Sequence, residues 1–168
     1  MDTEGQKDYE ANCDFCAIVK ELNNPSEANE HEHKNVREVL RFNETLAVIK
    51  DHRPTIEHHY LVIPRWHVGN PKTLSTDNNH INLILQMLDF GKEFLESCGW
   101  FSNEEVSMND ARFGFHYPPF ISEEHLHLHV LYPASEITSR KYKEDSWFFV
   151  TPAQLIETIR KKTKQVKA

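Results

Sequence analysis

His125-Leu126-His127-Leu128-His129-Val130-Leu131 alternates imidazole with aliphatic side chains, the two-residue period of a half-buried strand. On such a strand His125, His127 and His129 share one face, with neighbours roughly 6–7 Å apart, while Leu126, Leu128 and Val130 turn to a core. Imidazole titrates near neutrality and serves as nucleophile, proton shuttle or metal ligand. A strand face that is histidine-rich by chance is the plainer reading. The regular spacing favours a catalytic or metal-binding face.

Outward from this stretch, residues 111–117 alternate again and read as a strand, and Pro118-Pro119-Phe120-Ile121-Ser122-Glu123-Glu124 is a tight loop feeding the histidines. Residues 36–42 and 45–49 read as a hairpin turning at Asn43-Glu44, and residues 58–64 as a strand stopped by Pro64. Residues 23–35 read as a loop, with His31 and His33 as solvated side chains. The spacing predicts a long helix over 77–98, capped by Asp77 and ended at Gly99. One stripe of that helix is Ile81, Ile84, Leu85, Leu88 and Leu95, a second is Leu83, Met87, Phe90 and Phe94. Burial on two sides, in a core or against a second subunit, follows. Thr151-Pro152 opens a terminal helix whose basic end, from Arg160, suits the macrodipole. The sum is an α+β fold: an antiparallel sheet of about five strands, one long inserted helix and a C-terminal helix. Residues 1–11 read as a disordered tail, 12–150 as the domain, and 151–168 as the helix and its tail.

A net charge of −7 gives no basic footprint for nucleic acid. No apolar run reaches the roughly 18 residues that a membrane span needs. The polar N-terminus lacks a signal-peptide core, and three cysteines make no disulfide framework. A reducing cytoplasmic and nuclear location is the expectation.

Three histidines spread over about 13 Å of one flat strand cannot all ligate one ion. Covalent catalysis suits the pattern better: a central imidazole attacks an electrophile, and flanking groups fix its tautomer. Phosphoryl or nucleotidyl transfer is the natural chemistry, with Ser122 at the strand entrance.

These residues resemble the signature of the histidine triad superfamily of nucleotide hydrolases and transferases. His59-Tyr60-Leu61-Val62-Ile63-Pro64-Arg65-Trp66-His67 is similar to that family's second histidine strand, and Lys50-Asp51-His52 to its ribose-holding turn. Arg112 to His125 is most similar to the third branch of histidine triad nucleotide-binding proteins and close to the aprataxin catalytic domain. The resemblance implies that His127 is the nucleophile. His129 and His59 would orient it and contact phosphate, His125 would complete a relay, and Ser122 would bond the leaving group. Asp51 and the backbone at His52 would hold the ribose, and His116 would stand where relatives have an asparagine at the phosphate. The implied reaction is hydrolysis of adenosine 5′-phosphoramidates, and of aminoacyl-adenylates, to AMP, in a homodimer or larger homo-oligomer.

Cys13-Asp14-Phe15-Cys16 precedes a short helical segment, and a C-x-x-C pair in such a protein signals metal or redox chemistry. The resemblance implies structural zinc on Cys13, Cys16, His67 and His125; two buried thiols are the alternative. No cofactor is implied for catalysis. Two rival functions stand beside the phosphoramidase: removal of AMP from 5′-adenylated DNA, and a nucleotide-binding interaction module with little activity.

Overall fold

The aliphatic runs at residues 46–49 and 61–63 have no polar alternate positions to turn outward, so the sheet they form must be covered on both faces. A computed structural model, which describes residues 9–23, 38–76, 79–100, 108–143 and 145–166, shows this arrangement. Strands β1 (Val39–Phe42), β2 (Leu46–Lys50), β3 (His58–Pro64), β4 (Arg112–His116), β5 (Leu128–Tyr132) and β6 (Phe149–Val150) form one sheet in the order β1-β2-β3-β5-β4-β6. Every neighbouring pair is antiparallel. The short segment at β6 makes a sixth strand beyond the expected five.

On one face, Val48, Tyr60, Val62, Leu128 and Val130 meet helix α2 (His80–Ser97) through Ile84, Met87 and Phe90, and α3 (Pro152–Val166) through Leu155 and Ile159. On the other face, helix α1 (Asp14–Asn23) sets Phe15, Ile18 and Val19 on Ala47, Ile49, Leu61 and Ile63. The histidines belong to this second face, because their alternates Leu126, Leu128 and Val130 are buried in the first core. Gly114 lets β6 approach β4: a Cβ there would overlap the Phe149 ring. Gly99 closes α2 as expected, at φ +72°.

Four sequence expectations change. The paired strand begins at Leu128, not at His125, because β3 exchanges its last ladder pair with β5 at Val62–Leu128. Leu126 N–H bonds the Val68 carbonyl at 2.7 Å instead, so His125 and His127 lie on an irregular approach to the strand. The terminal helix is no appendage, since Leu155, Ile156 and Ile159 sit in the main core. Order begins before residue 12: Tyr9 rests on the α1 cluster and bonds Asn23 through its hydroxyl. The longer α1 replaces a turn or two of helix. His31, His33, Asp77 and the first two residues of the expected first strand lie outside the described residues. In the outer stripe of α2, Leu85 is exposed while Ile84 and Leu95 are buried.

Candidate active site

Two buried strands carry His59 and His129, and the irregular approach to β5 carries His125 and His127. His129 on β5 and His59 on β3 are 3% and 0% exposed, and His127 is 8% exposed. A cleft of about 970 Å³ opens above them, lined by His127, His129, Asp51, His52, His116 and Ser122 among others. Phe15 of α1 forms part of the same wall and sets its ring edge against His127, with centroids 5.4 Å apart.

The hydrogen bonds fix the tautomers, and with them the chemistry. His127 Nδ1 lies 2.8 Å from the His125 carbonyl oxygen. A carbonyl only accepts, so the proton sits on Nδ1 and the lone pair on Nε2, as a nucleophile requires. Thr55 N–H donates to His59 Nδ1 at 3.2 Å, which puts the His59 proton on Nε2. That proton faces His129 Nδ1 at 2.9 Å and the Asp51 carboxylate at 3.3 Å. His129 therefore carries its own proton on Nε2, a buried atom with no hydrogen-bond partner among the described residues. A buried donor left unbonded is costly. An anionic phosphate oxygen in the cleft would satisfy it.

Burial holds these rings neutral. It lowers His59 to about 4, against the opposing pull of Asp51, and it is the main cause of the lowering at His129 and His116. The consequence for folding has a definite sign. Above pH 6.5 both folded and unfolded His59 are neutral, and stability does not depend on it. Below pH 6.5 the unfolded chain takes up a proton that the native state refuses until about pH 4. Stability should thus fall by about 2 kcal/mol between pH 6.5 and pH 5 from His59 alone. Urea unfolding at pH 7.5, 6.5 and 5 checks this; a midpoint unchanged across that range would contradict it.

A second cluster sits behind the nucleophile. The sulfurs of Cys13 and Cys16 and Nδ1 of His67 and of His125 converge, all four donor atoms within 4.8 Å of one another. Cys16 Sγ is 3.3 Å from His67 Nδ1 and 3.5 Å from His125 Nδ1, and Cys13 Sγ is 3.5 Å from His125 Nδ1. Tetrahedral zinc, with bonds of about 2.3 Å to sulfur and about 2.0 Å to nitrogen, sets sulfur and nitrogen roughly 3.5 Å apart. The donor set fits. His125 Nε2–H donates to the Pro64 carbonyl at 3.0 Å, which turns the Nδ1 lone pair towards the sulfurs. Backbone N–H groups of Cys16 and Glu10 point at the two sulfurs, each at 3.4 Å. Burial pushes the Cys13 thiol up to about 12, so a cation must displace its proton to bind there. Asp51, His59 and His129 also converge, but the Thr55 bond leaves a proton on the nitrogen that would have to ligate. That trio is a hydrogen-bonded chain of a carboxylate and two imidazoles.

A family model described as scavenger mRNA decapping enzyme C-term binding matches residues 12–144. The chain belongs to the histidine triad superfamily. It is 41% identical to adenosine 5′-monophosphoramidase HINT3 of Xenopus tropicalis over 159 residues, 93% of this chain and 92% of that protein. Aprataxin of Ciona intestinalis is 30% identical over 113 residues, covering 67% of this chain but 28% of that protein. Among solved structures, a HIT family hydrolase from Clostridium thermocellum superposes with a TM-score of 0.54 at 22% identity, over 73% of this chain and 90% of that one.

As a histidine triad domain the chain divides its three histidines unequally. His127 and His129 share the cleft with Ser122. One ring nitrogen of His125 faces the Pro64 carbonyl and the other the cysteines, and its backbone carbonyl meets His127 Nδ1. Asp51 directs Oδ2 to His59, while Oδ1 accepts Arg53 N–H at 2.8 Å. It therefore meets the His59–His129 pair as well as lining the cleft. His116 Nε2–H donates to the Lys141 carbonyl at 3.1 Å, and its ring lies 4.5 Å from that of His129. Sequence reading missed Thr55, Phe15 and Tyr142. Thr55 acts through its backbone, which no side-chain pattern reports. Phe15 sits inside the C-x-x-C motif, and that adjacency was the available signal. Tyr142 closes on His59 and His129, with centroids at 5.1 and 5.3 Å, from a distant polar loop.

Proposed function

We propose that the protein hydrolyses adenosine 5′-phosphoramidates, and aminoacyl-adenylates, to AMP through a covalent AMP–histidine intermediate on His127. The observation that carries this reading is the 2.8 Å bond from His127 Nδ1 to the His125 carbonyl, which commits Nε2 to attack. In the first step a bond forms from Nε2 to phosphorus as the P–N bond breaks, and the amine departs with a proton that the Ser122 hydroxyl relays from solvent water in the open cleft. In the second, water attacks phosphorus, the P–Nε2 bond breaks to return neutral His127, and AMP leaves as the water's proton passes to solvent. His129 Nε2–H holds a phosphate oxygen. Asp51, through His59, stabilises the charge that the site gathers. Asp51 and His52 hold the ribose, since a carboxylate oxygen keeps a lone pair beyond its present bond. His116 stands beside the phosphate.

Zinc is the proposed occupant of Cys13, Cys16, His67 and His125. When bound it supplies a closed structural crosslink, because four protein ligands leave no open position for a substrate. The exposed Leu85 on α2 supports a homodimer joined through that helix. Free thiols at Cys13, Cys16 and Cys98 suit the cytoplasm and nucleus. Deadenylation of DNA is the weaker reading: the likeness to aprataxin is lower, and a net charge of −7 opposes a polyanion.

Mass spectrometry after acid quench tests the proposal. Mixing the protein with an adenosine phosphoramidate should give an AMP-sized adduct on the peptide that contains His127. AMP bound without any such adduct, and without turnover, would establish a binding module instead.

A further inference from the structure

We propose that Phe120, Trp147 and Phe148 form a recognition bank for leaving groups that carry a flat aromatic ring. The inference rests on the phosphoramidase reading and names the substrate class of the same site. The sheet order puts β5, with the catalytic histidines, between β3 and β4. One bank of the cleft therefore comes from α1 and the β2–β3 turn, where Phe15, Asp51 and His52 stand. The other comes from the loop after β4 and the segment before β6, and holds Phe120, Ser122 and Phe148.

Trp147 stands at the outer edge of that second bank, against the two rings that line it. Phe120 meets Trp147 edge to face at 5.2 Å and 79°, and Phe148 at 5.2 Å. Trp147 meets Phe148 at 5.4 Å and 83°. Trp147 is nonetheless 70% exposed and Phe120 54%. Core packing explains the neighbour Phe149, which is 1% exposed and lies 5.4 Å from the His116 ring. It does not explain Trp147, which stands in the turn before β6 and outside the core clusters. An indole already ordered by two phenyl rings loses little freedom when it binds, the condition for a rigid aromatic anchor.

The direction of the chemistry selects the occupant. In-line displacement sends the leaving group away from His127 Nε2. With the nucleoside on the Asp51 bank, the departing amine or acyl group meets the aromatic bank, two residues from Ser122. Offset or edge-to-face contact with one more ring is worth about threefold to tenfold in affinity.

The test compares kcat/KM for three adenosine phosphoramidates: unsubstituted, hexyl and 2-(indol-3-yl)ethyl. The indolylethyl compound should exceed the hexyl compound by about threefold to tenfold, mainly through KM. Trp147→Ala should bring that ratio close to one, and Trp147→Phe should retain part of it. Should the Trp147 variants fail to fold, Phe120→Ala, in a loop, carries the same expectation. Equal values for hexyl and indolylethyl, or a preference that survives both alanine variants, would overturn the aromatic bank while leaving the phosphoramidase intact. AMP from none of the three compounds would overturn both.

Discussion

Replacing His127 with alanine should lower kcat/KM for AMP release by at least about four orders of magnitude, with loss of the covalent adduct. The size follows from what the residue does in the proposed path. A nucleophile divides one difficult displacement into two easier ones, and no other ring near it has the same combination of tautomer and access. The His59 and His129 protons lie on the nitrogens that face their partners or the cleft. The His116 proton is taken up by the Lys141 carbonyl, and its ring is turned to His129 and Tyr142. His125 has both ring nitrogens directed away from the cleft. Affinity for AMP should change little, because the ribose and phosphate contacts assigned to Asp51, His52 and His129 remain. Calorimetry with AMP and single-turnover kinetics separate the two effects. A His127→Ala protein that keeps even a hundredth of the wild-type rate would show that another group attacks.

The fold was legible where one period dominated. Alternation in residues 111–117 and 125–131 marked β4 and β5, and the aliphatic run before Pro64 marked β3. Gly99 stopped α2 at the expected place. What escaped was backbone-driven. His125 continues the side-chain alternation of β5 without sharing its ladder, so the period alone could not show that its ring faces the cysteines while its carbonyl faces His127. The sequence left His125 between relay and metal ligand. The Pro64 carbonyl supports the ligand role, because a ring that donates from Nε2 offers Nδ1 to the sulfurs. Asp51 shows the converse: its motif suggested ribose, and only the pairing of β3 with β5 brought His59 and His129 against it.

Cys16→Ser should remove bound metal, lower the melting temperature by several degrees and slow adduct formation on His127 by about 10- to 100-fold. The stability loss follows from the position of the crosslink. A metal on Cys13 and Cys16 would tie α1, which lies outside the sheet ladder, to His67, just beyond β3, and to His125, just before β5. The kinetic loss follows from two further contacts. The His125 ring is held at both nitrogens, and the carbonyl of that same residue fixes the His127 tautomer. Phe15, between the two cysteines, sets its edge on the His125 and His127 rings at 5.6 and 5.4 Å. Freeing His125 and α1 should therefore loosen the proposed nucleophile without touching the contacts among Asp51, His59 and His129. Metal content by mass spectrometry, thermal unfolding and acid-quenched adduct formation should move together in Cys16→Ser. None should move in Cys98→Ser, whose thiol is outside the cluster. Wild-type protein isolated without metal, yet forming the adduct at full rate after exposure to a strong chelator, would separate the cysteine cluster from catalysis.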